Sequence, residues 1–426
     1  MKDRQRLFEY IQTHQDELFS ILTALVQCDT QNFAQTGREE NGQQRLAELC
    51  RARGLTPVLY CPDDVPGLTD HPGYLPGRGT DRRPNLSVVL PAENPRRRVT
   101  LAAHMDTVPI GNPAQWTVPP LSGVVRDGRL YGRGSGDDKS GIAVGLFLLG
   151  AIRKLGIQLQ DELVLTAYVD EEYGGGNGSL ATCLKYPSEL YLNLDGSEMK
   201  LASWGVGGGV YEIDVWTQAP AEDGRYALEG VMALVEELKA FGQQRSAELE
   251  ANPVYAGSHE AATALRFMEI SVGNNGNDLG HGKVNFVFYT LSTQAQMEAQ
   301  LQQVRARAAE KVAGKGLTFG PWVPGSRYFL PYVPEKASED AIRLGQYVEQ
   351  VTGKKAVHTG MCLSDLAIFG PFGGQVAFNF GIDRPFDSPG GAHQPDEYVS
   401  TDDLVHEAEI LAMFLMDCAK DEGGQQ

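Results

Sequence analysis

Three short apolar runs, each followed at once by acidic or imidazole side chains, limit the folds open to this chain more than any other feature of its sequence. The runs span 99–103, 163–169 and 190–194, and they lead into His104 and Asp106, into Asp170, and into Asp195, respectively. Apolar runs of this length are typical of buried strands, and a helical pattern over about 140–155 lies between the first two. The pattern therefore predicts an α/β domain with a largely buried sheet. Because open α/β sheets place their sites at the carboxyl ends of strands, we expect these polar residues to share one edge.

A change of texture after Ser203 indicates a second domain. The chain has 426 residues, more than one core usually supports. Between 206 and 324 the predicted order is strand, helix, strand, strand, helix, strand, which is typical of a small ferredoxin-like α+β domain. The α/β texture returns from about 325. We therefore predict a catalytic domain in two parts, 1–205 and 325–426, with the second domain inserted between them.

Composition excludes several classes of protein. The hydrophobic fraction of 42% and charged fraction of 22% are those of a globular chain. The formal net charge of -18 would repel a phosphate backbone, so we expect no nucleic-acid partner. The six cysteines show no C-x-x-C pair and indicate reduced thiols. No signal peptide or membrane-spanning run is evident, so we expect a cytoplasmic protein that does not bind membranes.

His104 and Asp106 form the first candidate site. Strand alternation places both side chains on one face. A metal-binding imidazole needs an acceptor for its second ring nitrogen, and a carboxylate two residues away can provide it. On its own this spacing is equally that of a polar pair closing a loop.

A glycine-rich turn at 132–141 forms the second candidate site. It delivers Asp137 and Asp138 just before the apolar helix, where one carboxylate can bridge two cations. A helix N-cap and a phosphate-binding loop are the alternatives. The phosphate loop fits poorly, since Asp138 precedes Lys139 where the Walker pattern requires glycine.

The remaining candidates are carboxylates and one histidine. Asp170, Glu171 and Glu172 follow a core strand, where like charges repel unless cations or protons offset them. Such a triplet allows one glutamate to bind metal while its neighbour acts as general base. Asp195 also ends a strand, and His393 lies in a Gly/Pro-rich loop. Mixed histidine and carboxylate ligands suit zinc, cobalt or manganese.

These motifs resemble a known family. HMDTVP at 104–109, Trp116, DGRLYGRGSGDDK at 127–139, DEE at 170–172, Asp195 and His393 occur in this order. They are similar to the aminoacylase, acetylornithine deacetylase, succinyl-diaminopimelate desuccinylase and glutamate carboxypeptidase family of di-zinc hydrolases. The resemblance implies a zinc-exopeptidase-like catalytic domain, with a central sheet flanked by helices, and an inserted lid domain that often forms a homodimer.

The resemblance also implies a role for each site residue. One metal would be held by His104 and Asp195, the other by Glu172 and His393, with Asp137 bridging them before a cis peptide bond, Glu171 as the base and Asp106 orienting His104. The cofactors would be two divalent ions, zinc foremost, with cobalt or manganese as alternatives.

The implied function is hydrolysis of the amide bond of a small N-acyl amino acid or short peptide. Two family features are absent: a lid histidine is missing from 215–224, and a substrate-gripping arginine is missing from 285–290. His259 and His281 are possible substitutes or plain surface residues. The alternatives are a metal-binding but catalytically silent protein and a two-metal phosphoesterase.

Overall fold

The computed structural model describes residues 2–33, 36–217, 227–273 and 279–419. The α-helices are α1 Lys2–Thr13, α2 Gln15–Val26, α3 Glu39–Ala52, α4 Lys139–Leu155, α5 Asn177–Lys185, α6 Leu228–Glu250, α7 His259–Ala262, α8 Gln294–Lys311, α9 Glu339–Thr352, α10 Leu366–Ile368 and α11 Thr401–Met416. The strands are β1 Pro57–Tyr60, β2 Asn85–Leu90, β3 Arg98–His104, β4 Val124–Arg126, β5 Arg129–Tyr131, β6 Glu162–Tyr168, β7 Leu190–Asn193, β8 Leu201–Gly205, β9 Gly207–Thr217, β10 Leu265–Val272, β11 His281–Thr290, β12 Leu317–Phe319, β13 Val323–Pro324, β14 His358–Met361, β15 Val376–Asn379 and β16 Tyr398–Ser400. Across the described ranges, every helix is too short or too polar to cross a membrane.

Two compact units share the chain. The larger unit contains Met1–Ser203, Pro334–Thr359 and Ile368–Gln426, and the smaller one contains Trp204–Val333 and Gly360–Ala367. The smaller unit thus takes a short segment from the returning part of the chain. Whether independently folding domains begin at 206 and end at 324 stays a prediction.

An eight-stranded mixed sheet forms the centre of the larger unit. Its strand order is β1-β2-β6-β3-β7-β15-β8-β14, and the four neighbours β6, β3, β7 and β15 run parallel. All but the first residue of β3 and of β6 is buried, as expected for parallel strands covered on both faces. The predicted α/β class is confirmed, and the carboxyl ends of four parallel strands lie along one edge.

The smaller unit has the predicted ferredoxin-like order. Its sheet runs β10-β11-β9-β12, with β13 also paired to β9. In chain order these strands and the helices α6 and α8 form the sequence strand, helix, strand, strand, helix, strand. Buried side chains from β9, β11, α6 and α8 make a separate core, which includes Ile213, Leu234, Phe286 and Leu301.

Apolar residues at helical spacing over 4–27 predict a single opening helix, but the structure has two, α1 and α2. The Thr13 hydroxyl donates to the carbonyl of Glu9, and His14 Nδ1 lies 3.0 Å from the carbonyl oxygen of Tyr10. Side chains that bond to nearby backbone groups compete with helical hydrogen bonds. His14 accordingly leaves the helical conformation, with φ at -126°.

A buried carboxyl group on α11 makes the stability of the larger unit depend on pH. Glu407 is completely buried, and neither of its carboxyl oxygens has a hydrogen-bond partner. Burial, with a smaller effect of the Asp403 charge, raises the pKa of Glu407 from 4.5 to about 8. Between these pH values the unfolded chain ionises this group and the folded protein does not. The folded state therefore loses stability as pH rises from 4.5 to 8.

We predict that Glu407→Gln stabilises the protein at pH 8 and changes its stability little at pH 4.5. Each unit of difference between the pKa of the folded and the unfolded state corresponds to about 1.4 kcal/mol in the free energy of unfolding. Denaturant unfolding at both pH values measures the effect. Glu409→Gln on the same helix removes the same charge from a half-buried position and is the control. An equal effect of Glu407→Gln at both pH values would contradict the assignment.

Candidate metal centre

The edge formed by the ends of the four parallel strands gathers the predicted site residues. His104 ends β3, the acidic triplet follows β6, and Asp195 follows β7. These segments are fixed by the ladders of the sheet, in which β3 pairs with both β6 and β7. The expectation that these residues share one edge is met.

Asp137 lies between the two histidines. Its Oδ1 is 2.9 Å from Nε2 of His104, and its Oδ2 is 3.1 Å from Nε2 of His393. The Asp137-Asp138 peptide bond is cis, as the resemblance implies. A carboxylate that offers one oxygen to each of two imidazoles occupies the position that a bridging ligand requires.

Glu172 joins the same group from the strand edge. Its Oε2 lies 2.9 Å from Nε2 of His393, and its Oε1 accepts a hydrogen bond from the backbone N–H of Val108. Ligand atoms of His104, Asp137 and Glu172 all lie within 4.8 Å of one another. Side chains from four separate parts of the chain, His104, Asp137, Glu172 and His393, therefore meet in one cluster.

A second group of ligand atoms meets at Asp137. Oxygen atoms of Asp137, Asp195 and Asp383 lie within 4.8 Å of one another, and all three residues are buried. The five predicted metal ligands are thus brought together, along with Asp383, which the sequence reading missed. Buried like charges at this separation repel, so a donor set of carboxylates and imidazoles here fits divalent metal ions.

Asp106 contacts both the backbone of Glu171 and Glu172 and the imidazole of His104. Its Oδ1 and Oδ2 accept the backbone N–H groups of Glu171 and Glu172, at 3.1 and 3.0 Å. His104 Nδ1 lies 2.9 Å from the backbone carbonyl oxygen of Asp106 and 3.7 Å from its carboxylate. The imidazole is therefore oriented mainly by the main chain of Asp106.

The backbone N–H groups of the glycine-rich turn donate hydrogen bonds to a buried glutamate elsewhere in the protein. The Glu397 carboxylate accepts the N–H groups of Gly134, Gly136 and Asp137, and it also pairs with Arg133. A phosphate-binding loop needs such amides free for its ligand. Because a buried glutamate occupies them, the turn is a rigid support for Asp137. Glu397 was not predicted, since it lies about 260 residues away in sequence.

Two arginines offset the charge of Asp170. Arg78 and Arg83 both pair with its carboxylate, and both are buried. They belong to the stretch 61–84, which its Pro, Gly and Asp content predicts to be a surface loop. The prediction fails for these residues because the buried charge of Asp170 requires cationic partners. Of the acidic triplet, Asp170 thus has a structural role.

The carboxylates of the site raise the pKa of both histidines. Burial lowers the pKa of His104, but Asp137, Asp106 and Glu171 together raise it well above its usual value. Burial likewise lowers the pKa of His393, whereas Glu172 and Asp137 raise it to about 11. Burial raises the pKa of Asp137, but its bonds to both imidazoles hold that pKa far below the usual range.

The family of the chain follows from a comparison with known proteins. Residues 100–312 match the pattern of the peptidase family M20/M25/M40. This range contains six of the seven predicted site residues, which are His104, Asp106, Asp137, Glu171, Glu172 and Asp195. The chain belongs to this family.

Relatives of the M20 family support the assignment. The succinyl-diaminopimelate desuccinylase of Bradyrhizobium sp. (strain ORS 278) is 26% identical over 72% of this chain and 82% of its own length. A Saccharomyces cerevisiae dipeptidase structure matches with a TM-score of 0.72 at 13% identity, covering 97% of this chain and 98% of that one. A Bacillus subtilis structure described as a dinuclear metal-binding M20 peptidase matches at 0.59 and 12% identity, covering 95% and 99%. This M20 chain is a metal-dependent amidohydrolase or exopeptidase.

The two candidate lid histidines lie within the smaller unit. His281 Nε2 is 2.7 Å from Asp214 Oδ1, so this imidazole is hydrogen-bonded to a carboxylate on the same sheet. His259 is the first residue of the short helix α7. Most of the segment that lacks the family histidine, residues 218–224, lies outside the described residues.

Metal binding by this M20 protein should release protons. A histidine binds metal only when neutral, and both imidazoles are protonated in the metal-free site. We predict that saturation with Zn²⁺ at pH 7 releases about one proton per histidine, and that affinity rises between pH 6 and pH 8. Calorimetric titrations in buffers of different ionisation enthalpy measure this number. Affinity that does not change with pH would contradict it.

Proposed function

We propose that this M20 protein hydrolyses the amide bond of a small N-acyl amino acid or short peptide. The observation that carries the proposal is the placement of Asp137, with one carboxylate oxygen on each of two histidines. The curated relative is named for removing a succinyl group from an amino acid, and the yeast structure is that of a dipeptidase. Both names describe cleavage of an amide bond within a small molecule.

The metal ligands proposed are His104, Asp137, Glu172, Asp195 and His393. His104 and Asp195 would hold one divalent cation, and Glu172 and His393 the other, with Asp137 shared. When bound, two such cations supply Lewis-acid polarisation of the scissile carbonyl and lower the pKa of the attacking water. Zinc fits this mixed donor set, as do cobalt and manganese.

Glu171 is the proposed general base. Its backbone N–H donates to Asp106 Oδ1, next to the Glu172 N–H, and the residue is partly buried. The contribution of its charge to the raised pKa of His104 supports this proposal. In the proposed reaction Glu171 takes the proton from water as the oxygen attacks the amide carbon. It then passes that proton to the leaving amine nitrogen.

A screen of candidate substrates tests this function. The protein, loaded with Zn²⁺ or Co²⁺, is assayed against N-acetyl and N-succinyl amino acids, dipeptides and phosphoesters. We expect turnover of an acyl amino acid or a dipeptide, and none of the phosphoesters. Hydrolysis of phosphoesters alone would favour the two-metal phosphoesterase. Metal binding without turnover of any amide would favour the silent protein, which the comparisons do not support.

Two matched variants of neighbouring glutamates test the base. Glu171→Gln keeps the shape of the side chain but cannot accept a proton, so turnover should fall by about 10²–10⁴-fold with metal content unchanged. Glu172→Gln should instead weaken metal binding first and lose activity as a consequence, with partial rescue by added zinc. Metal analysis and steady-state rates distinguish the two, and melting curves check folding. Near-normal turnover by Glu171→Gln with metal bound would disprove the mechanism.

We also propose that β10 of the smaller unit pairs two copies of the chain in a homodimer. Within the described residues β10 is an edge strand of its sheet, and it exposes Met268 and Ile270 at 64% and 49%. An edge strand with exposed apolar side chains presents unpaired backbone groups with which a second copy can pair.

Sedimentation velocity at micromolar concentration tests the dimer. Met268→Lys should convert it to monomer by placing a charge in the interface. Val58→Lys is the control, because Val58 is an exposed residue of β1, an edge strand of the eight-stranded sheet in the larger unit. A monomeric wild-type protein would refute the dimer and leave the hydrolase proposal unaffected.

A further inference from the structure

Asp383 enters the metal centre from the fourth parallel strand of the edge. It follows β15, which runs parallel to β7. The backbone N–H of Asp383 donates to the carbonyl of Gly196, and Asp383 forms an isolated parallel bridge with Ser197. The segments after β7 and β15 are therefore held side by side, and this brings Asp383 next to Asp195.

The Asp383 side chain points into the cluster and lacks a partner there. It is only 7% exposed, and its Oδ1 makes no hydrogen bond. An oxygen of Asp383 lies within 4.8 Å of ligand oxygens of Asp137 and Asp195. Asp383 Oδ1 lies next to Gly136, since a Cβ added at this glycine would be 3.4 Å from it.

The surrounding protein provides little positive charge for Asp383. The cations of the site are committed elsewhere, since both histidines contact Asp137 and Arg133 pairs with Glu397. Over the described ranges no lysine or arginine forms an ion pair with Asp383. A buried carboxylate without a cationic partner carries a large desolvation penalty, which a bound cation removes.

We propose that Asp383 is a further metal ligand, so that one cation of the centre is held by oxygens of Asp137, Asp195 and Asp383. This inference rests on the proposed two-cation function and adds a sixth residue to its ligand set. Three carboxylates make this position richer in oxygen than the one beside Glu172 and His393. Oxygen ligands suit harder cations such as Mn²⁺.

Mn²⁺ titration of the metal-stripped full chain tests the proposal. The wild-type protein should bind two equivalents. Asp383→Asn keeps the size of the side chain and removes its charge, and should weaken one equivalent by about 10–100-fold or more while leaving the other unchanged. Calorimetry gives the stoichiometry and both dissociation constants, and elemental analysis after desalting gives the metal retained. Neither readout depends on activity.

Two further variants protect the interpretation. Glu407→Gln neutralises another buried, unpartnered carboxyl group on α11, outside the metal centre, and should bind both equivalents as the wild type does. Asp383→Ser removes both carboxylate oxygens, whereas Asp383→Asn keeps an amide oxygen in place of one of them. It should weaken the same equivalent as Asp383→Asn does. Circular dichroism confirms that each variant is folded.

The outcomes separate this inference from the proposed function. Two unchanged equivalents in folded Asp383→Asn and Asp383→Ser would overturn the role of Asp383 and leave the two-cation centre in place. Equal weakening of both equivalents would also contradict it, because the loss would then not be confined to one position. Fewer than two equivalents in the wild type would overturn the proposed centre itself, and the assignment of Asp383 with it.

Discussion

Repulsion between buried carboxylates is the constraint on which the rest of the metal centre depends. Asp137, Asp195 and Asp383 bring ligand oxygens within 4.8 Å of one another in the buried edge of the sheet. Of these three carboxylates, Asp137 is the one that both histidines contact, and the arginines of this region pair with Asp170 and Glu397. Protons or divalent cations can offset such a charge, and a site that binds divalent cations is also one that can activate water and an amide carbonyl.

The fold provides the rigidity that this crowding requires. Four parallel strands fix the backbone segments that carry the proposed ligands, and this holds the carboxylates near one another. Around them, other polar groups hold the main chain: Glu397 binds the amides of the glycine-rich turn, and Asp106 binds those of Glu171 and Glu172. The supporting carboxylates therefore place the ligands and the proposed base through the backbone, at positions set by the strand ends.

Much of this arrangement could be predicted from the sequence because strand ends are visible in it. His104, Asp195 and the acidic triplet each follow an apolar run, and the parallel sheet brings such ends together. Asp383 and Glu397 carry no comparable local signal, since each acts through neighbours distant in the chain. In the structure the backbone of Asp383 is hydrogen-bonded to that of Gly196, next to Asp195. This contact makes the Asp383 carboxylate a candidate ligand. Arg78 and Arg83 were missed for the same reason, because the burial of Asp170 is a tertiary property.

The central claim is that one pair of divalent cations occupies this edge, and anomalous diffraction from zinc-soaked crystals tests it most directly. The account predicts two anomalous peaks about 3.5–4 Å apart. Oxygens of Asp137 should lie within bonding distance of both peaks, and His393 and Glu172 should bind one of them. A single peak, or two peaks that Asp137 does not contact, would contradict it.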